Sequence, residues 1–455
     1  MTYAPEQLQL AHLLRRAGFG ASPREWAEFS KLGVAGTTEV LLHPERVEDS
    51  MSALQKQVGG DLVDFEDLNS VRNWWVYRMT HSPRPLEEKM TLFWHNHFAT
   101  ANYKVDSARR MWNQNETLRR YALGDFRVLL HKIASDPAML IWLDGAQNSA
   151  GAPNENFGRE VMELFTLGRG NGYTETDIKE AARCFTGWRW ADTPSNFVYD
   201  PGRHDDGEKT VLGETGNWHA ADICDILARH PATAKHITSK LHRFFVGSEP
   251  SPSDSARLCK TYFESGFEIR AVVESILTSE SFYAPAARNS KIKSPVEFTV
   301  MTLKTLGAPL SSARDLSGAL SLMGQDLFNP PNVKGWNEGR DWINSRTLLA
   351  RVNFASGLAD EMNRRVSLFD TLRDLDASNA PNSSNAPQSA MSAAPDEIVD
   401  SLWNALYRGV EITPKTRAVL LKYATQDKPD ATRLGENKVQ GLINLMVSLP
   451  EYQLC

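Results

Sequence analysis

The sequence predicts a mainly α-helical protein, a large multi-helix globular body with at most a short β-hairpin. Helix-start signals recur, as in Ser22-Pro23-Arg24-Glu25 and Ser294-Pro295-Val296-Glu297, where a capping serine precedes proline and then glutamate at the third helical position. Strand-like alternation is scarce. The best candidate strands are residues 197–199 and 209–212, which we expect to form one hairpin within 196–213.

The predicted helices follow one another along the chain. Before residue 170 they cover 6–17, 23–32, 37–43, 68–80, 86–98, 106–122, 126–135 and 156–167. A capping box of Thr174 and Asp177 opens the next helix, which continues to Phe185 and is expected to end at Gly187. Later helices are predicted at 221–229, 232–245, 253–264, 269–278, 295–306, 314–322, 344–364, 396–408, 413–425 and 434–448.

The composition limits the class of protein. With 455 residues, 41% hydrophobic and 23% charged, the chain has ordinary globular values and the length for two or three domains. A net charge of −6 does not suggest a nucleic-acid partner. Four scattered cysteines without a CxxC pair are expected to be buried or incidental thiols rather than a disulfide framework.

The sequence also bears on location. No apolar run reaches the roughly 18 residues that a membrane span needs. The N-terminus shows no basic segment followed by an apolar one. We therefore expect a cytoplasmic protein, or a periplasmic one if a leader is missing.

Three segments are predicted. Residues 1–375 form the main helical domain and carry the candidate site. Residues 376–396 are rich in alanine, serine, asparagine and proline and nearly uncharged, which predicts a flexible insertion because such a segment buries little apolar surface. Residues 397–455 form a C-terminal helical segment that packs on the main body.

Residues 154–168 (NENFGREVMELFTLG) are the best candidate for a functional site. On a helix, Asn156, Glu160 and Glu163 form a polar stripe beside an apolar one. Carboxylates at the border of a core are unfavourable unless a cation, a donor or a metal meets them. Arg159 lies four residues from both Glu155 and Glu163, so an internal salt-bridge network is the alternative.

Two histidine-containing clusters supply possible partners for these carboxylates. The first is Phe93-Trp94-His95-Asn96-His97-Phe98, near the end of a predicted helix, where the two imidazoles diverge by about 200° unless the helix ends there. The second is the loop at His204 and Asp205. Imidazoles with carboxylates suit zinc, iron or manganese. The alternative is a pair of structural histidines and a solvated turn.

Further segments complete a pattern that spans nearly the whole chain. They are residues 12–20, 93–99, 136–140, 154–168, 181–188, 204–205, 330–336 and 449–453. With these residues in this order, the chain resembles the bacterial proteins collected as domain of unknown function 1800. The resemblance implies a largely helical fold and a sulfatase- or phosphatase-like partner protein encoded nearby. It implies no reaction.

Three functional hypotheses follow. The first is a metal-dependent hydrolase or oxidoreductase, with His95, His97, Glu160 and His204 as ligands, Glu163 as ligand or general base, and Asn156, Arg159, Asp205 and Trp94 lining the site. The second is a metal-free glycan-active enzyme, with Glu160 and Glu163, or Glu160 and Asp144, as acid and base and Trp94, Trp142, Trp188 and Trp190 as sugar platforms. The third is a non-catalytic scaffold or assembly partner.

Overall fold

A computed structural model of the chain describes residues 3–53, 63–191, 197–307, 316–365, 394–426 and 434–455. The predicted class is confirmed, because helices dominate these residues and the strands form two small two-stranded antiparallel sheets. None of the helices in these ranges combines the length and apolar character needed to cross a membrane.

Apart from two short helices, at Asn102–Val105 and Pro137–Trp142, that were not predicted, the first half of the chain folds into helices at nearly the predicted positions. They are α1 (Pro5–Ala17), α2 (Pro23–Leu42), α3 (Leu68–His81), α4 (Pro85–His97), α5 (Asn102–Val105), α6 (Ala108–Arg120), α7 (Phe126–Ala134), α8 (Pro137–Trp142) and α9 (Glu155–Glu160), and a π-helix (Val161–Thr166) continues α9. Ser22 caps α2 by accepting the Glu25 N–H, as its capping box predicts. The two helices predicted at 23–32 and 37–43 are one element, kinked at Gly33, whose φ is 65°.

The second half is also helical. It contains α10 (Glu175–Cys184), α11 (Ala220–Ala228), α12 (Pro231–Val246), α13 (Pro252–Glu264), α14 (Ile269–Leu277), α15 (Glu280–Tyr283), α16 (Pro295–Leu306), α17 (Leu316–Leu322), α18 (Ser345–Arg365), α19 (Pro395–Leu406), α20 (Pro414–Thr425) and α21 (Glu436–Val447). Short 3₁₀ turns cover Pro44–Arg46, Gly145–Gln147, Pro201–Arg203, Pro285–Ala287, Gly339–Trp342 and Pro450–Gln453.

The hairpin predicted within 196–213 is wrong in its pairing. The strands are β1 (Trp188–Trp190), β2 (Phe197–Tyr199), β3 (Lys209–Val211) and β4 (Glu214–Gly216), and β1 pairs with β2 while β3 pairs with β4. Leu212 and Gly213 adopt positive φ values of 52° and 82°. Such a two-residue turn matches the twist of the flanking strands, so β3 folds onto its nearest neighbour in sequence.

Helix α4 is the centre of the main core. Nearly all of its residues are buried, including the charged Glu88 and Lys89, and α1, α2, α3 and α6 pack around it. Its C-terminal turn, which carries the predicted histidine cluster, therefore ends inside the molecule.

The helices after residue 394 contact the rest of the protein. Helix α21 packs on α18, α19 packs on α16, and the Lys293 ammonium donates to the Tyr452 carbonyl oxygen at 2.6 Å. Of the predicted flexible insertion, residues 376–393 lie outside the described part of the chain, and Pro395 already begins α19.

Candidate functional site

The last turn of α4 contacts several distant segments of the chain. Trp94 is fully buried, and its Nε1 donates to the Ala122 carbonyl oxygen at 2.8 Å. The three following residues, 95–97, each bind a different loop or helix. This turn therefore connects segments that are far apart in sequence.

His95 is a neutral core histidine. Its Nε2 accepts the backbone N–H of Phe328 at 3.1 Å, and its ring packs edge-on against Trp75 and Phe328. Burial, followed by the nearby Arg72 cation, lowers the pKa of His95 to about 3. The nitrogen that accepts the Phe328 N–H is not free to bind an ion.

Asn96 holds the proline-rich turn at 330–336. Its Oδ1 accepts the Trp336 N–H at 2.7 Å, and its Nδ2 donates to the Trp336 carbonyl oxygen at 3.4 Å. Gly335 has a φ of 82°, and a Cβ at this position would overlap both the side chain and the carbonyl oxygen of Asn96. Glycine is thus required at position 335 because Asn96 lies too close for a Cβ and because the backbone has a positive φ.

His97 is engaged at both ring nitrogens. Nε2 donates to the Phe165 carbonyl oxygen at 3.1 Å, and Nδ1 lies 2.8 Å from the Lys240 ammonium, which donates to it. Burial, then the neighbouring Lys240 and His236, keep the pKa of His97 well below its ordinary value. The His95/His97 pair thus follows the structural alternative in its contacts.

The predicted helix at 156–167 changes character halfway along. After α9 the backbone continues as the π-helix, where the Leu167 N–H bonds to the carbonyl oxygen of Met162, five residues earlier. A π-helical turn holds more residues than an α-helical one, so it rotates the side chains that follow. Asn156, at the start of this segment, donates from Nδ2 to the Leu143 carbonyl oxygen at 3.1 Å.

Glu163 belongs to an ion-pair network centred on Arg159. Glu163 lies 3.5 Å from Arg159 and 3.3 Å from Arg169, and Arg159 also pairs with Glu155 at 3.5 Å and Glu175 at 2.6 Å. The Glu163 side chain is only 14% exposed. The salt-bridge network that the sequence offered as an alternative is therefore formed.

Glu160 differs from Glu163. Its Oε2 is buried and has no hydrogen-bond partner among the residues that the structure describes. Burial, and next the Glu163 charge, raise the pKa of Glu160, whereas Arg169 opposes them. Asp144, the other carboxylate considered as its partner, pairs with a lysine at 2.9 Å.

His204 lies in a loop that folds over the end of α10. Its Nδ1 is 2.9 Å from the Thr186 carbonyl oxygen, which can only accept, so Nδ1 carries the proton. Gly187, with a φ of 81°, lets this loop approach, because a Cβ there would be 2.6 Å from the Asp200 carbonyl oxygen. His204 is 6% exposed, and its Nε2 has no partner within the described ranges of the chain.

Two further side chains approach His204. Its ring stacks on that of His219 at 4.4 Å between centroids and 14° between planes. One ligand atom each from His204, Asp206 and His219 lies within 4.8 Å of the other two. In the described parts of the chain, this is the group of three or more metal-ligating side chains that could hold an ion.

Asp205 supports this group indirectly. Its carboxylate accepts from Arg183 Nε at 2.7 Å and from Arg183 Nη2 at 3.0 Å, and its backbone N–H donates to Thr186 Oγ1 at 2.9 Å. Hydrogen bonding to Arg183 lowers the pKa of Asp205 to about 2. This bidentate pair fixes the loop that carries His204 and Asp206 to α10.

The predicted ligand set is not brought together. His204 belongs to the metal-ligating group, but His95, His97 and Glu160 do not. The two α4 histidines bind protein groups at the end of the central helix. Asp205, predicted to line the site, pairs with Arg183 on α10, whereas Trp94, Asn156 and Arg159 bind groups elsewhere.

Sequence reasoning missed Asp206 and His219. The signal that reveals them is the β3–β4 hairpin, in which Lys209 pairs with Gly216. Residues just before Lys209 and just after Gly216 leave the hairpin at the same end, so Asp206 and His219 return to one place. Because β3 was predicted to pair with residues 197–199, the proximity of Asp206 to His219 was not predicted.

The tryptophans predicted as sugar platforms are mostly inaccessible. Trp94, Trp142 and Trp188 are 0%, 7% and 5% exposed, respectively. The fourth, Trp190, carries the Arg110 guanidinium 4.7 Å from its ring centroid. These aromatic rings are therefore packed in the protein and do not present the open faces on which a sugar would stack.

The described residues thus form a mainly helical protein that carries an imidazole–carboxylate group, made of His204, Asp206 and His219, beside a small hairpin. The chain belongs to the family described as protein of unknown function (DUF1800), whose model matches residues 12–454. Neither a curated protein nor a solved structure matches the chain.

Proposed function

We propose that this chain is a metal-dependent enzyme whose ion is held by His204, Asp206 and His219. The observation that carries this proposal is the buried, unpartnered Nε2 of His204. Its Nδ1–H is held by the Thr186 carbonyl oxygen, which leaves Nε2 as the nitrogen with an available lone pair. Metal-bound histidines usually have their second nitrogen fixed in this way.

The ligand types support a divalent transition metal. Two imidazoles and one carboxylate suit zinc, iron or manganese better than magnesium or calcium. Three protein ligands leave a coordination position for water, as in catalytic zinc sites. Asp206 and His219 are exposed, so water and substrate would have access to an ion held there. Hydrolysis, in which a bound water is the nucleophile, is the reaction class that this exposure favours.

We expect purified wild-type protein to bind about one zinc or manganese ion per chain, as structural and catalytic sites of this kind do. His204→Ala and His219→Ala should weaken binding by more than about 100-fold, since even outer-shell changes weaken it by about 10- to 100-fold. Asp205→Asn, which releases the Arg183 pair, should fall in that smaller range. The measurement is elemental analysis together with titration of EDTA-stripped protein.

His81→Gln is the matched control, because His81 is exposed and lies on α3 away from the group. Wild-type protein that takes up no ion, or His204→Ala protein with unchanged affinity, would refute the site. Selective retention of ferrous iron, with oxygen consumption on turnover, would assign the oxidoreductase class. Zinc-dependent cleavage of chromogenic ester, phosphate or amide substrates would assign the hydrolase class.

Glu160 supports a second candidate, an acid–base role without a metal, because functional groups are often held at the expense of stability. Glu160→Gln should raise the free energy of unfolding by about 0.5 kcal/mol, since it removes a like charge three residues from Glu163. Glu163→Gln should lower it by about 0.5 kcal/mol through loss of two ion pairs. Urea denaturation measures both values.

The pH dependence of the Glu160→Gln effect provides the control. A raised folded-state pKa means that the contribution of Glu160 is present below its unfolded pKa and is lost as pH rises through the folded pKa. The advantage of Glu160→Gln should therefore disappear in acid. If Glu160→Gln lowers the free energy of unfolding at neutral pH, then Glu160 has a structural role. Glu160 remains a catalytic candidate only if the substitution raises that free energy.

A further inference from the structure

A polar cleft of about 250 Å³ opens on the outer face of α12, apart from the imidazole–carboxylate group. The helix supplies residues at intervals of three and four, which place their side chains on one face. The glycine-rich turn after the π-helix and the segment after α12 complete the wall. The residues that matter are Asn171, Lys235, His236, Ser239, Arg243 and Glu249.

The charge of this cleft is positive. Lys235 and Arg243 contribute two cations and Glu249 one carboxylate. Arg243 pairs with Glu249 at 2.9 Å, but the two side chains are 45% and 66% exposed, so the pair is weak and can be exchanged for a ligand. An incoming anion could therefore pair with Lys235 directly and with Arg243 after displacing Glu249.

The inner wall of the cleft is rigid and neutral. His236 Nε2 donates to the Leu164 carbonyl oxygen at 3.3 Å, in the last turn of the π-helix. Gly168, with a φ of 81°, lies so close that a Cβ would be 2.9 Å from His236 Nδ1. Burial, and next the Lys240 charge, lower the pKa of His236 to about 4, so this ring is uncharged at neutral pH.

A third cation lies behind this wall. Lys240 is on the same helix face, four residues after His236, and its ammonium donates to His97 at 2.8 Å. Burial lowers the pKa of Lys240 to about 8, so an anion nearby would favour its charged form. The cleft thus combines cations at its mouth with a half-buried ammonium whose charged form an anion would favour.

We propose that this cleft binds a compact dianion, such as a phosphate, sulfate or small dicarboxylate group. Its volume is below the roughly 300–1,000 Å³ of pockets for drug-sized ligands, which favours a small ligand or the anionic end of a larger one. Lys235 and Arg243 would neutralise the charge, and the Ser239 hydroxyl would donate a hydrogen bond. The inference does not depend on the proposed metal site.

The test titrates inorganic phosphate, sulfate and malonate separately into EDTA-treated, full-length protein, with sodium chloride adjusted to constant ionic strength. Thermal shift and calorimetry measure binding. We expect saturable binding of at least one dianion, with affinity at least tenfold weaker in Lys235→Gln and Arg243→Gln. Lys260→Gln, at an exposed lysine on α13, is the control and should bind as the wild type does.

Each outcome decides the proposal. Binding by wild-type and His204→Ala protein alike places the anion away from the metal-ligating group, whereas binding lost in His204→Ala would overturn the assignment to this cleft. No saturable binding of any of the three anions also overturns it. Equal affinity in Lys235→Gln, Arg243→Gln and wild type would do the same, because the cleft's cations would then not contact the ligand. The anion that binds most tightly identifies the ligand group.

Discussion

Glu88→Gln is expected to lower the free energy of unfolding by about 3–5 kcal/mol, the range found when one partner of a buried ion pair is removed. Glu88 is fully buried on α4, where Oε1 accepts from Arg78 at 3.0 Å and from Arg119 at 2.7 Å, and Oε2 accepts from Trp75 and Arg119 at 3.0 Å. Burial raises the pKa of Glu88, but Arg119 and Arg78 outweigh it, so the carboxylate is charged. In Glu88→Gln the amide NH₂ would face the N–H groups of Arg78, Arg119 or Trp75, which are themselves donors. The buried Arg78 and Arg119 cations would also lose the negative charge that neutralises them.

Urea denaturation of purified variants measures this effect. Glu116→Gln is the matched control, because Glu116 pairs with Arg119 from a side chain that is 37% exposed and should contribute less than about 1 kcal/mol. If Glu88→Gln is no more destabilising than Glu116→Gln, then the network around α4 does not hold the core together. A change in the slope with urea would indicate that the variant alters the compactness of the native or denatured state.

Local signals predicted most of the fold. The box at Ser22 and the Ser294 box each start a helix at the predicted residue, because the caps satisfy backbone groups within one turn. The π-helix was missed because its hydrogen bonds differ from those of an α-helix by one residue, which the apolar spacing does not register. The β3–β4 hairpin was missed for lack of a strong turn pair such as Asn-Gly, since Leu212 occupies a position of positive φ.

The site was less predictable than the fold. A ligand group depends on contacts between residues far apart in sequence, and a shift in strand pairing moves the partner of His204. Sequence placed His204 and Asp205 in one loop correctly, but the partner His219 lies after a hairpin whose register was not predicted. His95 and His97 were predicted as metal ligands because the sequence does not reveal that Phe328 and Lys240 hydrogen-bond to their ring nitrogens.

The histidines at 95 and 97 differ from His204 in the contacts that their imidazoles make. The 93–98 segment ends the central helix and binds three separate parts of the chain. The 181–188 and 204–205 segments together build the wall and the first ligand of the imidazole–carboxylate group. His97 is engaged at both ring nitrogens, whereas Nε2 of His204 has no partner in the described part of the chain, and this difference separates a structural histidine from a candidate ligand.

The histidine cluster of α4 makes the protein sensitive to acid. An unfolded histidine has a pKa near 6.5, whereas that of folded His95 is lowered to about 3. Between these values the unfolded chain binds more protons than the folded one, so the free energy of unfolding falls as pH falls. The slope approaches about 1.36 kcal/mol per pH unit only once the unfolded histidine is fully protonated, so His95 alone should remove about 2 kcal/mol between pH 6.5 and pH 4.5. His97, whose pKa is also lowered by burial, adds to this loss.

His95→Gln isolates this contribution, because a glutamine oxygen can still accept the Phe328 N–H but cannot take up a proton in this range. We expect His95→Gln to be less stable than the wild type at pH 7, through imperfect packing, and to lose about 2 kcal/mol less between pH 6.5 and 4.5. Urea denaturation at several pH values measures the difference in slope between His95→Gln and the wild type. Parallel pH profiles for His95→Gln and the wild type would mean that His95 takes up its proton in the folded protein as readily as in the unfolded chain. The Phe328 N–H would then face a donor, which is incompatible with the contact at the end of α4.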